Sequence, residues 1–267
     1  MDLADIREYV AGDDVRHIDW NVTARMDTPY VREYLEDREI TAHFLLDVSP
    51  SVDFGTATAL KRDLLIDFVA VLSRLLTRRG NKVGAVIYGG HVERVVPART
   101  GRMQVLRLID DLERRPRLDR APATSLAELL EAGLRSIGRR SLVFIASDFF
   151  TTPGWERPLA LLARRHEVLA IRLVDPRERE LPEIGMVVMT DAETGEHLFV
   201  DTSDKRFRAR FAEAVRRREA ALAAAFRRSG VEALELSTED DLVRSIMRFA
   251  ARRKLRTARQ RAMAVAS

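Results

Sequence analysis

The most informative stretch of the sequence is Thr41-Ala-His-Phe-Leu-Leu-Asp47-Val-Ser49-Pro-Ser51, in which an apolar run ends in one carboxylate and two hydroxyls. The run itself is short and almost uncharged, which is typical of a strand covered on both faces of a parallel sheet. Asp47 would then lie at the carboxyl end of that strand, where ligands bind in open α/β sheets. Because an Asp with two Ser side chains offers hard oxygen ligands, the stretch predicts a site for Mg²⁺ or Mn²⁺.

The remaining sequence alternates apolar runs with amphipathic stretches. Further strands are predicted at 83–88, 92–96, 142–146, 168–174 and 231–236, with a hairpin formed by 186–190 and 197–200. Helices are predicted at about 57–79, 103–112, 126–137, 158–165 and 205–228. A last helix, capped by Ser237 or Thr238, is predicted to run through Leu242, Ile246 and Phe249. This order predicts an α/β fold with a doubly wound, mostly parallel sheet flanked by helices, preceded by a short N-terminal extension.

Composition narrows the class of protein. The 267 residues are 46% hydrophobic, so the chain can bury a sizeable core, and the absence of Cys excludes thiol catalysis, disulfides and zinc-thiolate sites. No apolar run approaches the ~18 residues of a membrane span, and Met1 is followed by Asp2 and Asp5 rather than by the positive charge of a signal peptide. We therefore expect a cytoplasmic protein without a membrane span.

Three separate segments are predicted to meet at one edge of the sheet. All of them supply oxygen atoms: Asp47, Ser49 and Ser51 after one strand, Thr124 where a loop enters a helix, and Asp148 after another strand. Two carboxylates brought together without a cation would repel each other, whereas Mg²⁺ would neutralise them. The joint placement therefore favours a metal site, although each residue taken singly has an ordinary structural interpretation.

The motifs resemble two known families. The D-x-S-x-S pattern, the later Thr and the further Asp resemble the metal-ion-dependent adhesion site of von Willebrand factor type A domains. A second, longer stretch near the N-terminus resembles the signature of the family catalogued as domain of unknown function 58. This stretch is Arg7-Glu-Tyr9-Val-Ala-Gly12-Asp13-Asp14-Val-Arg16-His-Ile-Asp19-Trp20-Asn-Val-Thr23-Ala24-Arg25, followed by Val31-Arg32-Glu33-Tyr34. This resemblance implies a von Willebrand type A-like domain and a MoxR-type AAA+ ATPase as partner, because the two are commonly encoded side by side.

The resemblance also implies a mechanism and a domain organisation. The metal-ligand positions fall on Asp47, Ser49, Ser51, Thr124 and Asp148, and an acidic residue of a partner protein would complete the shell. The implied role is non-enzymatic: a chaperone-like accessory in protein maturation or complex assembly. We expect a signature extension at 1–40, the von Willebrand type A-like domain at 41–250 and a basic tail at 251–267. Relatives usually carry a segment before the signature, which leaves two interpretations of the extension open: naturally short or truncated.

The signature has two interpretations of its own. Charged residues of alternating sign surround the aromatic residues Tyr9 and Trp20. These charged residues include Arg7, Asp14, Arg16, Asp19 and Arg25. We favour a buried network of ion pairs and stacked rings that anchors the extension. The alternative is a docking surface for the ATPase.

Two alternative functions come from other classes of protein. A haloacid-dehalogenase-like phosphatase also places an Asp after its first strand beside Mg²⁺, but it needs a second carboxylate two residues on, where this chain has Ser49. A nucleic-acid-binding role is suggested by the basic tail, which contains Arg252, Arg253, Lys254, Arg256, Arg259 and Arg261. That role is disfavoured because no aromatic residue follows Phe249 to stack on bases.

Overall fold

The computed structural model describes residues 2–35, 39–56, 59–116, 122–191 and 194–265, without the side chains of 2–5, 32–35 and 255–265. The chain divides into two compact units, Met1–Glu39 and Ile40–Ser267. No helix in the described ranges is long and apolar enough to cross a membrane.

The first unit is a small antiparallel pair of strands with one helix. Strand β1 (Asp2–Glu8) pairs with β2 (Tyr30–Leu35), and helix α1 (Trp20–Met26) lies between them in the sequence. Asp19 begins the helix, because its Oδ1 accepts hydrogen bonds from the backbone N–H groups of Asn21 and Val22 at 3.0 and 3.3 Å. Satisfying two of the free N–H groups at a helix start in this way is ordinary N-capping chemistry.

Within the first unit, the signature residues do not form the buried network of ion pairs and stacked rings that the sequence predicts. Arg7 pairs with Asp13 and Arg16 pairs with Asp14, each at 2.7 Å, but the guanidinium side chains are 40% and 84% exposed. Trp20 is 69% exposed and Arg25 is also exposed, whereas Asp19 is buried as the helix cap. Arg7 and Arg16 thus pair with aspartates six and two residues away in the sequence.

The second unit is built on a six-stranded sheet. Its strands are β3 (Thr41–Asp47), β4 (Lys82–Tyr88), β5 (Val92–Arg99), β6 (Leu142–Ser147), β7 (Glu167–Val174) and β10 (Glu232–Ser237). Their spatial order is β10-β7-β6-β3-β4-β5, and every pair is parallel except β4 with β5. The predicted class, a mostly parallel α/β sheet flanked by helices, is confirmed.

Helices cover both faces of this sheet. One face carries α2 (Lys61–Arg78), α3 (Arg102–Glu113) and α7 (Leu242–Val265), and the other carries α4 (Leu126–Ser136), α5 (Glu156–Arg165) and α6 (Lys205–Ser229). Successive strand residues point to opposite faces, so Phe44 joins the first core and Leu45 the second. Phe44 stacks on Phe144 with ring centroids 5.2 Å apart, which ties β3 to β6.

Three details complete the description. Strands β8 (Met186–Thr190) and β9 (His197–Asp201) form the predicted antiparallel hairpin. Helix α2 begins at Lys61 rather than near 57, and positions 57 and 58 lie outside the described residues. Helix α7 continues to Val265, so most of the segment predicted as a basic tail is helical, while 266 and 267 are outside the description.

Candidate metal centre

The predicted ligands lie where the sheet reverses its strand order. From β3 the chain adds β4 and β5 on one side, and it then adds β6, β7 and β10 on the other. The carboxyl ends of β3 and β6 therefore flank the topological switch point at which open α/β sheets bind ligands. Asp47 is the last residue of β3, and Asp148 directly follows β6.

Asp47 is fully buried at this edge. Its Oδ1 accepts a hydrogen bond from the Ser49 N–H at 3.1 Å, and its Oδ2 accepts one from the Ser147 hydroxyl at 2.6 Å. Burial and the negative charge of nearby Asp148 raise the pKa of Asp47 to about 6, against the opposing effect of these hydrogen bonds. An additional positive charge would therefore stabilise the ionised pair of carboxylates.

The two predicted serines lie on the loop that follows β3. Ser49 is buried, and its hydroxyl oxygen is 3.2 Å from that of Ser51. The loop is held at its start by Arg115, whose Nη1 donates to the Val48 carbonyl at 2.5 Å. Two hydroxyls are thus placed beside the buried carboxylate of Asp47.

Thr124 is buried immediately before α4, and Ser125, the next residue, caps that helix. The Thr124 carbonyl accepts hydrogen bonds from the Thr151 hydroxyl and the Thr152 N–H, both at 2.9 Å. Because Thr151 and Thr152 lie on the loop after β6, these bonds connect the Thr124 loop to the Asp148 loop. Thr124 and Ser51 also line the same cleft.

Asp148 has a buried cationic partner that sequence reasoning missed. Lys61 Nζ donates to Asp148 Oδ2 at 2.7 Å and to Glu178 Oε1 at 2.5 Å, and the lysine side chain is 0% exposed. Burial acts to lower the pKa of Lys61, but the two carboxylates outweigh it and raise the pKa above its ordinary value. The ammonium is therefore charged inside the site. The other Asp148 oxygen, Oδ1, accepts from the Phe150 N–H at 3.0 Å.

One sequence signal could have indicated this partner, and a second was hidden. A lysine at the first residue of a helix opposes the helix dipole and favours a nearby carboxylate, but the sequence predicts that α2 starts near 57 and so places Lys61 inside the helix. Glu178 follows β7, a third strand that ends at the same edge. Ser147, which donates to Asp47, was also missed because it reads as the last residue of a buried strand.

The donor set fits a small hard cation. Asp47 and Asp148 supply carboxylate oxygens, and Ser49, Ser51 and Thr124 supply hydroxyl oxygens, which are the ligand types that Mg²⁺ and Mn²⁺ accept. Among the described residues, no three His, Asp or Glu side chains form a group suited to a metal ion. A metal at this edge would thus depend on the hydroxyls, and water or a partner's carboxylate would complete its shell.

A cleft of about 930 Å³ lies beside these residues. The hairpin of β8 and β9 and helix α6 form its outer walls. Its lining includes Ser51, Thr124, Phe150, Glu178, Met189, Leu198, Phe211, Val215 and Arg218. The Arg218 guanidinium lies 3.5 Å from the centre of the Phe150 ring, a cation–π contact at the cleft wall.

The fold and this polar edge define an α/β protein with a mostly parallel sheet and a cluster of oxygen donors at the switch point. Residues 5–221 match the family described as "Protein of unknown function DUF58". The chain belongs to this family, which confirms the resemblance carried by the N-terminal signature.

Known proteins are similar over most of the chain. Uncharacterized protein Rv1480 of Mycobacterium tuberculosis H37Rv and uncharacterized protein Mb1516 of Mycobacterium bovis are each 40% identical over 248 residues, covering 93% of this chain and 78% of the relative. The crystal structure of the conserved hypothetical protein BatB from Bacteroides thetaiotaomicron is similar with a TM-score of 0.50 and 10% identity, covering 82% of this chain and 99% of that chain. At this identity the similarity to BatB concerns the fold alone.

Proposed function

We propose that this protein is a non-enzymatic interaction module with a von Willebrand type A-like domain. Asp47, Ser49, Ser51, Thr124 and Asp148 would hold Mg²⁺ or Mn²⁺ in an adhesion-type site. The supporting observation is the placement of two buried carboxylates and neighbouring hydroxyls at the switch point of the sheet. A bound cation would supply positive charge for an acidic residue of a partner protein.

The residues around the site explain how such a module could work. Ser147 and the Ser49 N–H hold the Asp47 carboxylate in one orientation, and the Phe150 N–H does the same for Asp148. The adjacent cleft offers apolar walls on which a partner segment could pack next to its acidic residue. Because these hydrogen bonds already fix the two carboxylates, less side-chain entropy would be lost when a ligand binds to them.

The alternatives receive less support. Phosphatase chemistry needs a general acid or base two residues after Asp47, and the hydroxyl of Ser49 cannot serve at neutral pH. For nucleic-acid binding, Arg253 of the basic segment pairs with Glu167 and Glu232, while the side chains of Arg256, Arg259 and Arg261 lie outside the description. We therefore favour a protein partner.

The proposed partner is a MoxR-type AAA+ ATPase, which the family resemblance implies. In this role the protein would act as a chaperone-like accessory in protein maturation or complex assembly.

The test is a pull-down of the MoxR-type ATPase from the same genome with wild type and Asp47→Ala, each in Mg²⁺ and in chelator. We expect recovery by wild type in Mg²⁺ to exceed the other three conditions at least tenfold. Asp67→Ala is the matched control, because Asp67 is an exposed acid on α2 away from the site. Equal recovery under all four conditions would contradict the metal-dependent mechanism.

A further inference from the structure

Lys61 occupies an unusual position for a charged residue. Its side chain is completely buried, and its ammonium contacts Asp148 and Glu178 at 2.7 and 2.5 Å. The rings of Phe54 and Phe150 flank it, with centroids 5.7 and 5.5 Å from Nζ. Charged groups are buried only when paired, so the two carboxylates and the two rings together account for a charged lysine here.

The choice of lysine is itself informative. The sequence contains only four lysines, at 61, 82, 205 and 254, and otherwise uses arginine for positive charge. An ammonium is a compact point charge, whereas a guanidinium is a planar fork that binds carboxylates in pairs. The buried position therefore carries the cation that most resembles a small metal ion in size and charge distribution.

We infer that Lys61 is an internal cation of the site, which pairs with Asp148 in the metal-free protein and competes there with a divalent ion. The inference rests on the proposed function, because it assigns a role to Lys61 at the same metal centre. Asp148 can serve the ammonium or the metal, and a positive charge beside Asp148 weakens the binding of a second one. Lys61 thus lowers the affinity of the site for Mg²⁺.

Glu178 allows Lys61 to remain paired with a carboxylate in both the metal-free and the metal-bound protein. Lys61 has two carboxylate partners, so it retains Glu178 when Asp148 turns to a metal. Glu178 also lines the cleft beside the site. The metal-free protein is then stabilised by its own cation, and metal binding replaces one of two ion pairs instead of leaving a buried ammonium alone.

The test is a calorimetric titration with Mg²⁺ of wild type and of two variants, Lys61→Met and the double variant Lys61→Met/Glu178→Gln. Methionine keeps the length of the chain without its charge, and the double variant removes one charge of each sign so that folding does not depend on an unpaired Glu178. We expect each folded variant to bind Mg²⁺ at least tenfold more tightly than wild type. Circular dichroism of each variant establishes whether it is folded.

Two controls separate charge from packing. Lys205→Met removes another lysine that begins a helix, at the exposed start of α6, and should leave Mg²⁺ affinity unchanged. Lys61→Arg keeps the positive charge at the site and should bind Mg²⁺ no more tightly than wild type.

The outcomes distinguish this inference from the proposed function. If wild type binds Mg²⁺ and the folded variants bind it equally or more weakly, the inference is overturned and the metal site stands. If only the variants bind Mg²⁺, Lys61 is the resident cation and the metal-dependent function falls. Failure of every protein to bind Mg²⁺ would overturn both.

Discussion

Three aspartates end neighbouring strands at the same edge of the sheet, yet their surroundings differ. Asp47 and Asp148 lie among hydroxyls and the ammonium of Lys61. Asp175, after β7, instead accepts four hydrogen bonds: from the N–H and hydroxyl of Thr56 at 2.8 and 2.6 Å, from the Arg177 N–H at 2.9 Å and from the Thr238 hydroxyl at 2.9 Å. Asp175 is therefore a structural carboxylate that joins three loops.

These hydrogen bonds predict a pH-dependent contribution to stability. Burial acts to raise the pKa of Asp175, but the hydrogen bonds from Thr56, Arg177 and Thr238 outweigh it, and the pKa lies below the ordinary 3.8. A carboxyl group whose pKa is depressed by folding stabilises the folded state above its unfolded pKa, and this contribution is lost as the pH falls through the folded pKa.

We expect Asp175→Asn to lower the free energy of unfolding by about 1–3 kcal/mol at pH 7, because an amide cannot accept all four hydrogen bonds. The difference from wild type should shrink below about pH 4. Urea unfolding at pH 7 and at pH 3.5 measures it, with the exposed Asp240→Asn as control. A difference as large at pH 3.5 as at pH 7 would refute the assignment.

At the scale of secondary structure elements, the turn after β6 is held by aromatic side chains from the face of the sheet that α5 and α6 cover. Phe149 adopts a left-handed backbone conformation with φ of 59°, which costs a residue other than glycine about 1–2 kcal/mol. Its ring packs against Trp155 and Phe226, with centroids 5.7 and 5.1 Å away. The aromatic cluster thus stabilises a strained turn that orients the neighbouring Asp148.

Because of this strain, we expect glycine at position 149 to give a more stable protein than alanine, the reverse of their usual order in a helix. Phe149→Ala should cost about 3–5 kcal/mol of unfolding free energy through lost packing. Phe149→Gly loses the same packing but relieves the left-handed strain, so we expect it to be more stable than Phe149→Ala by about 1 kcal/mol. Chemical denaturation of both variants gives the comparison.

The matched control is the partner ring Phe226, which lies within helix α6. There the ordinary order should hold, with Gly less stable than Ala by about 1 kcal/mol. Finding Phe149→Gly less stable than Phe149→Ala would show that the turn is not strained in solution.

Most elements could be predicted from the sequence because their patterns are local. Apolar runs mark the buried strands, and spacings of three and four mark the helices; predicted and observed bounds agree within a few residues at β3 and α4. The strand-end positions of Asp47 and Asp148 follow from the same patterns. Local pattern alone also suggested a buried signature network, which the first unit does not contain.

The contacts that define the site could not be predicted in this way. Lys61 meets Asp148 and Glu178 across 87 and 117 positions of sequence, and no local pattern encodes such pairings. The left-handed turn at Phe149 depends on the rings of Trp155, which precedes α5, and Phe226 in α6. Sequence reasoning therefore located the edge of the sheet and its oxygen donors, but not the cation between them.

At the scale of the whole sheet unit, the candidate site draws on both helical layers. Lys61 begins α2 on one face of the sheet, and Thr124 precedes Ser125, the N-cap of α4, on the other. A ligand held between them would bind only the folded arrangement, since the unfolded chain does not keep these residues together. Such a ligand raises the free energy of unfolding by mass action.

We therefore expect Mg²⁺ at a hundred times its dissociation constant to raise the free energy of unfolding by about 2.7 kcal/mol over chelator. Ser49→Ala, which removes one proposed ligand, should reduce this gain, whereas the exposed Ser203→Ala should keep it. Urea unfolding with and without Mg²⁺ is the measurement. Identical wild-type curves in the two buffers would argue against a resident metal.

The antiparallel strand β5 has a consequence for how copies of this molecule can associate. It forms one border of the six-stranded sheet, where free backbone groups could recruit another strand and start aggregation. Pro97 interrupts that border because it has no amide hydrogen to donate, and the partly exposed charge of Arg94 further disfavours a second chain. Growth of the sheet from copy to copy is thereby discouraged on this side.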